Sequence, residues 1–182
     1  MSKPTAAEPV KLLFSVLATK VALLNEAITV LSAVYGQLDF ISVIMPFDYT
    51  DYYCAGMGDN LVRRFISMEI LIKPEILPDI KLAANDIEDR SALDKRRQIN
   101  IDPGYISKAH LILATGKGYT HRPYLRDGIY ADLTLIYQGK KFCPLPWTYP
   151  DYAEGKQISM FSKIRAKYLS QLKMAHPNKK FL

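Results

Sequence analysis

Residues able to hold anions or move protons crowd one stretch of this chain, from Arg97 to Asp151, between strand-like apolar residues and proline-aromatic turns. Arg97 and Arg122 offer forked donors that match a phosphate or carboxylate, and Lys117, set between Gly116 and Gly118, can approach an anion with little steric hindrance. His121 has the side chain suited to acid or base work beside a carboxylate, and Asp132 is the carboxylate singled out for that pairing. Asp48, Asp102 and Asp132, with the amide oxygen of Asn100, are the oxygen donors that a hard divalent ion such as magnesium or manganese takes. The chemistry this implies is binding of a small anionic, phosphate-bearing ligand, a nucleotide among the candidates, with metal-assisted hydrolysis or transfer as the reaction it would support.

Several enzyme classes are unsupported. Gly116-Lys117-Gly118 lacks the upstream glycine and the following hydroxyl of a phosphate-binding P-loop, and no Gly-x-Gly-x-x-Gly opens a helix. Neither a Gly-x-Ser-x-Gly elbow nor a His-Glu-x-x-His pair occurs. Cys54 and Cys143 lie far apart with no partner at zinc-ligand spacing, so they read as reduced thiols of a cytoplasmic protein.

These side chains need elements to position them. Residues 1–9 read as a mobile leader, residues 10–175 as one α+β domain and residues 176–182 as a basic tail. The apolar run 11–18 suits a buried strand, and Val21, Leu24, Ile28, Leu31 and Tyr35 recur at helical spacing before Gly36. Residues 40–47 read as a second strand and 61–72 as a long third, with Arg63, Phe65 and Ser67 on one face and Arg64, Ile66 and Met68 on the other. A helix follows, opened by Pro74 and Pro78 and striped by Ile80, Ala84 and Ile87, and residues 98–102 supply a fourth strand. That order is a ferredoxin-like βαββαβ unit. Short strands at 111–115, 124–126, 129–137 and 141–145 form hairpins around Asp127-Gly128 and Gln138-Gly139, and a helix over 157–174 closes the domain. The expected sheet is largely antiparallel.

Alternation along two of these strands gives the site. Gln98, Asn100 and Asp102 share one face of the first, and Tyr130, Asp132 and Thr134 share one face of the second. If the strands are neighbours, the two polar rows line one concave surface that His121 and Arg122 can close. Plainer readings stand beside each of these. A His-Arg pair also serves as a structural hydrogen-bonded pair, Asp102-Pro103-Gly104-Tyr105 is a natural turn, and Trp147 among its prolines packs a loop onto the core more readily than it stacks a ligand. Tyr49, Tyr52 and Tyr53, with Asp48 and Asp51, are candidates for the rim of a pocket.

With 49% hydrophobic and 23% charged residues among 182, the composition is that of an ordinary folded domain, and no apolar run reaches the length of a membrane-spanning helix. The net charge of +6 favours anionic partners. Its share in the last helix, at Lys156, Lys163, Arg165, Lys167 and Lys173, supports a rival reading: a non-enzymatic module that binds RNA or a protein partner.

Seven segments together resemble one uncharacterised prokaryotic family. They are residues 46–53 (Pro-Phe-Asp-Tyr-Thr-Asp-Tyr-Tyr), Met57-Gly58, Asn100-Ile101-Asp102-Pro103-Gly104-Tyr105, Leu113-Ala114-Thr115, His121-Arg122, Gly128-Ile129-Tyr130-Ala131 and residues 144–152 (Pro-Leu-Pro-Trp-Thr-Tyr-Pro-Asp-Tyr). The chain is similar to the domain of unknown function 4416 from about residue 9 to about residue 172. The resemblance implies no established activity. Members have been labelled GTP-binding, but the guanine-specifying Asn-Lys-x-Asp is absent here, since Asn178-Lys179-Lys180-Phe181 ends in Phe, and Asp132 stands where the family pattern leads one to expect the longer Glu.

Overall fold

The strand β1 (Val10–Ala18) is buried at every position, which makes it the centre of the molecule and explains its near-continuous apolar sequence. The computed structural model describes residues 3–50 and 54–175, except the side chains of Cys54 and Ala55. After β1 the chain forms α1 (Val21–Tyr35), β2 (Leu38–Ile41), β3 (Met45–Phe47), the short α2 (Cys54–Met57), β4 (Leu61–Ile72) and α3 (Leu77–Arg90). There follow β5 (Ile99–Ile106), β6 (His110–Thr115), β7 (Tyr124–Arg126), β8 (Ile129–Gln138), β9 (Lys141–Pro144), the short α4 (Pro150–Ala153) and the long α5 (Gly155–Ala175).

All nine strands join one antiparallel sheet in the order β2-β4-β1-β5-β6-β8-β7, with β3 also on β4 and β9 on β8. Its first half, β5-β1-β4-β2 with α1 and α3, has the strand order of the ferredoxin-like unit expected from the sequence. Apolar stripes decide which face each helix covers. Leu24, Ala27, Ile28 and Leu31 of α1 and Ile80, Ala84 and Ile87 of α3 pack on Leu12, Phe14 and Val16 of β1 and on Ile66, Met68, Ile99 and Ile101 beside them. On the opposite face, Phe161, Ile164, Tyr168 and Leu172 of α5 cover Leu13, Phe65, Ile106, Leu111, Leu113, Leu135 and Phe142. Each such fully buried side chain contributes about 1.5–3 kcal/mol, so both faces of β1 are held by apolar layers.

Two elements differ from the expectation. The second strand is two short ones, because Ser42 interrupts it: its N–H donates to the Phe65 carbonyl at 2.9 Å while its hydroxyl accepts the Phe65 N–H at 3.0 Å, and Val43 bulges into solvent. The turn reading of Asp102-Pro103-Gly104-Tyr105 is wrong. All four residues are extended within β5, paired with Ser15 through Leu12 of β1.

That segment also splits the sheet. β5 pairs with β6 only through Gly104–Leu113, Tyr105–Ile112 and Ile106–Leu111. Residues 101, 103 and 105 turn their backbone groups toward the β6 side, and proline has no N–H to donate, so the ladder stops at Pro103. Gly104 then allows the closest approach, since a Cβ there would stand 2.4 Å from the Ile112 carbonyl oxygen and 2.7 Å from Leu113 Cδ2. Beyond the split, the backbone of Ile101 has no strand beside it on that edge. Its N–H donates to Glu88 Oε1 at 2.7 Å and its carbonyl accepts from Lys81 Nζ at 2.8 Å, so two side chains of α3 replace the missing strand.

Candidate functional site

The sheet register fixes the floor of the site. Arg63 of β4, Leu17 of β1 and Asn100 of β5 lie in one row across the face that α5 covers further along, and Phe65, Ser15 and Asp102 form the next row. A third row continues Leu13, Gly104, Leu113 and Asp132, which carries the floor across β6 to β8. Where β5 and β6 part, the floor opens into a cavity of about 720 Å³. Phe47 and Tyr49 wall it on one side, the segment Tyr149-Pro150-Asp151-Tyr152 on another, residues 113–117 with Arg122 on a third, and Lys81, Asn85 and Glu88 of α3 close the gap between the strands. Its size lies within the range of small-molecule sites.

Six of the sequence candidates line this cavity together: Arg97, Asn100, Asp102, Lys117, Arg122 and Asp132. The two polar rows meet across an intervening strand, β6, and are not on neighbouring strands. The other four candidates lie elsewhere. Asp48 is exposed and outside the lining, Thr134 is fully buried with its hydroxyl 3.4 Å from Asp132 Oδ1, and Tyr130 packs against Tyr124. His121 sits behind Arg122, its ring stacked on Trp147 at 4.9 Å and edge-on to Tyr119, with Nε2 3.6 Å from Asp132 Oδ2. Trp147 donates its indole N–H to the Leu133 carbonyl at 2.8 Å, so it pins its loop to β8 as the packing reading expects. Tyr52, Tyr53 and Asp51 lie outside the described residues.

Charges in the cavity come as linked pairs. Asp132 takes the Arg122 Nε bond at 2.8 Å, and the same guanidinium donates to the Tyr149 hydroxyl at 2.8 Å and to the Lys117 carbonyl at 3.3 Å. Burial works against the Arg122 charge, but the bonds to Asp132 and Tyr149 outweigh it and hold its pKa above the ordinary value. On the opposite wall a chain of contacts runs from Arg97 to Asn100 Oδ1 at 2.7 Å, from Asn100 Nδ2 to Asp102 Oδ2 at 2.7 Å, and from Asp102 to Lys81 at 3.4 Å. Glu88, 3.7 Å from Lys81 and 3.6 Å from Arg97, closes it. Burial raises the pKa of Glu88, with Lys81 and the Ile101 N–H pulling the other way.

Reading residues alone missed Arg63, Lys81, Glu88 and Asp151. Arg63, 4% exposed, is clamped by Asp151 and sandwiched by Phe47 and Phe65, with ring centroids 4.5 and 4.8 Å away. Burial raises the carboxyl pKa of Asp151, opposed by Arg63, and raises the Tyr152 phenol well above its usual value. A signal for Arg63 was present: an arginine on the interior face of a long central strand needs a buried partner. Lys81 and Glu88 were also visible as residues seven apart on one face of a helix, two turns that bring them to the same edge.

Among the described residues, no three His, Cys, Asp or Glu side chains converge to hold a metal ion, and Asp48 stands apart from Asp102 and Asp132. Among the described residues no helix is long and apolar enough to cross a membrane.

No curated protein and no solved structure matches the chain. A family model does, over residues 8–168, so the cavity and nearly all of the sheet around it fall inside the match: the chain belongs to the family described as a domain of unknown function, DUF4416.

Proposed function

We propose that this protein binds a small anionic, phosphate-bearing ligand in the cavity where β5 and β6 part. The observation that carries the reading is the presence of two guanidinium forks and an ammonium, from Arg97, Arg122 and Lys117, on the walls of one cavity. Arg97 is exposed and lies 3.6 Å from Glu88 through Nη1. Its side chain is 47% exposed, one Nη1 bond goes to Asn100, and its remaining donors have no hydrogen-bond partner among the described residues. Arg122 is held in place by Asp132 and Tyr149, which suits a donor that is oriented before the ligand arrives. The reading is for binding in the cytoplasm.

Thermal unfolding with sugar phosphates, nucleotides and inorganic phosphate, each with and without magnesium or manganese, tests it. A ligand at about 100 times its Kd stabilises by about 2.7 kcal/mol, which for a chain of this size is a rise of roughly 5–10 °C in Tm. The expected result is such a rise in the wild type and none in Arg97→Ala. A panel without any shift in the wild type refutes the reading. A second reading, binding of RNA along the basic C-terminal helix, rests on α5, which has no acidic residue and exposes Lys156, Lys163 and Lys173. Salt-sensitive RNA binding lost in a triple alanine variant of these lysines and retained in Arg97→Ala would favour it.

A further inference from the structure

We infer that the ligand of this cavity is a phosphorylated polyol, a sugar phosphate whose hydroxyls are read by Asp102 and Asn85; the inference rests on the phosphate-binding reading above. Phe47 already lies under the Arg63 guanidinium, Tyr152 stacks on Phe161 at 5.6 Å with a 9° tilt, and Trp147 stacks on His121. Tyr49 and Tyr149, which also line the cavity, are held by their hydroxyls to Glu154 at 2.7 Å and to Arg122 at 2.8 Å, so among the described residues each aromatic group of the lining is already tied to a protein partner.

Hydrogen-bonding capacity, in contrast, is left over. The Asn85 amide borders the cavity and has no hydrogen-bond partner among the described residues. Asp102 projects from the floor with its side chain 29% exposed, and among the described residues its oxygens take only the Asn100 amide at 2.7 Å and the Lys81 ammonium at 3.4 Å. A carboxylate has about four acceptor positions, so about two are left unused on a side chain that lines the cavity. An ionised carboxylate accepts O–H donors strongly and takes two adjacent hydroxyls at once, whereas it repels a phosphate. Acceptors at Asp102 and Asn85 beside donors at Arg97 and Lys117 therefore call for a molecule with hydroxyls at one end and an anion at the other. Inorganic phosphate satisfies only half of that lining.

Isothermal calorimetry with ribose 5-phosphate, glucose 6-phosphate, inorganic phosphate and adenosine 5′-monophosphate tests the inference. At least one sugar phosphate is expected to bind ten times or more tighter than inorganic phosphate, and adenosine monophosphate no tighter than ribose 5-phosphate. Asp102→Asn and, as a milder change that leaves the floor intact, Asn85→Ala should each remove most of that preference while inorganic phosphate binds as before. Equal affinity for inorganic phosphate and both sugar phosphates, tighter binding of the nucleotide, or a preference unchanged in Asn85→Ala would overturn the polyol and leave the phosphate site standing. If none of the four binds, the phosphate site itself fails, and the polyol with it.

Discussion

Removing Glu88 should unzip the open edge of β5, and the size of the effect can be worked from its contacts. Glu88 Oε1 accepts the Ile101 N–H at 2.7 Å in a buried position, and the carboxylate lies 3.7 Å from Lys81. In Glu88→Ala the N–H loses its acceptor with no strand alongside to supply another, which costs about 1–3 kcal/mol, and deleting the buried side-chain carbons adds about 1 kcal/mol. A total near 3 kcal/mol corresponds to roughly 6–12 °C in Tm for a protein of this length. Glu88→Gln keeps an acceptor oxygen and removes only the charge, so it should cost about 1 kcal/mol. Urea unfolding at neutral pH measures both, and amide exchange at Ile101 should quicken far more in the alanine variant. The pH dependence gives an independent check. Burial raises the Glu88 pKa above its ordinary 4.5 in the folded protein, so between that value and the folded-state pKa the native chain binds the extra proton. Wild-type stability relative to Glu88→Gln should then fall as pH rises through this window and stay level above it. Alanine and glutamine variants of equal stability, within about 0.5 kcal/mol, would refute the idea that a side chain stands in for a strand.

Two further substitutions probe the frame around the cavity. Gly104→Ala places a Cβ 2.4 Å from the Ile112 carbonyl oxygen, so β5 and β6 must separate at their three-pair seam; a loss of about 3 kcal/mol is expected in urea unfolding, and a loss below about 1 kcal/mol would show that the seam yields. Lys11 is fully buried and donates to Asp39 and, at 2.8 Å, to Gln171 Oε1. Lys11→Met leaves the Asp39 carboxylate with only Lys167 at 3.5 Å and the Ser67 hydroxyl and should cost about 2 kcal/mol, while adding Asp39→Asn should recover at least half; additive losses in that double-mutant cycle would contradict the pairing.

The fold was largely readable from periodicity because its strands are buried on known faces. The run 11–18 and the alternation of Arg63, Phe65 and Ser67 against Arg64, Ile66 and Met68 are consequences of a central sheet covered on both sides. The site was readable in part. Asn100, Asp102 and Asp132 project where alternation puts them, since a strand turns every second side chain to the same face. What alternation cannot supply is strand order, so the insertion of β6 between the two polar rows was invisible. Pro103 misled for a physical reason: Asp-Pro-Gly favours a turn in isolation, and only the pairing of Asp102, Pro103 and Gly104 with β1 holds them extended. His121 was placed at the site by its neighbour in sequence, yet its orientation is set by Trp147, 26 positions on, through a stacking contact that no local pattern encodes.

The split in the sheet ties ligand binding to stability through shared side chains. A nine-stranded sheet with β5 and β6 paired throughout would bury the backbone of Ile101 against a strand and leave no cavity; the missing N–H at Pro103 prevents this, while the missing Cβ at Gly104 lets the strands close directly beyond it. The exposed edge then has to be satisfied, and the residues that do so, Lys81 and Glu88, are also those that border the cavity and sit beside Arg97 and Asp102. An anion drawn to Arg97 approaches Glu88 as well, and like charges at that distance favour protonation of the carboxyl. Binding of a phosphate-bearing ligand should therefore be accompanied by proton uptake near the Glu88 pKa, and the uptake should vanish in Glu88→Gln. Calorimetry in two buffers of different ionisation enthalpy measures it directly, and binding with no linked proton in the wild type would separate the edge cap from the ligand.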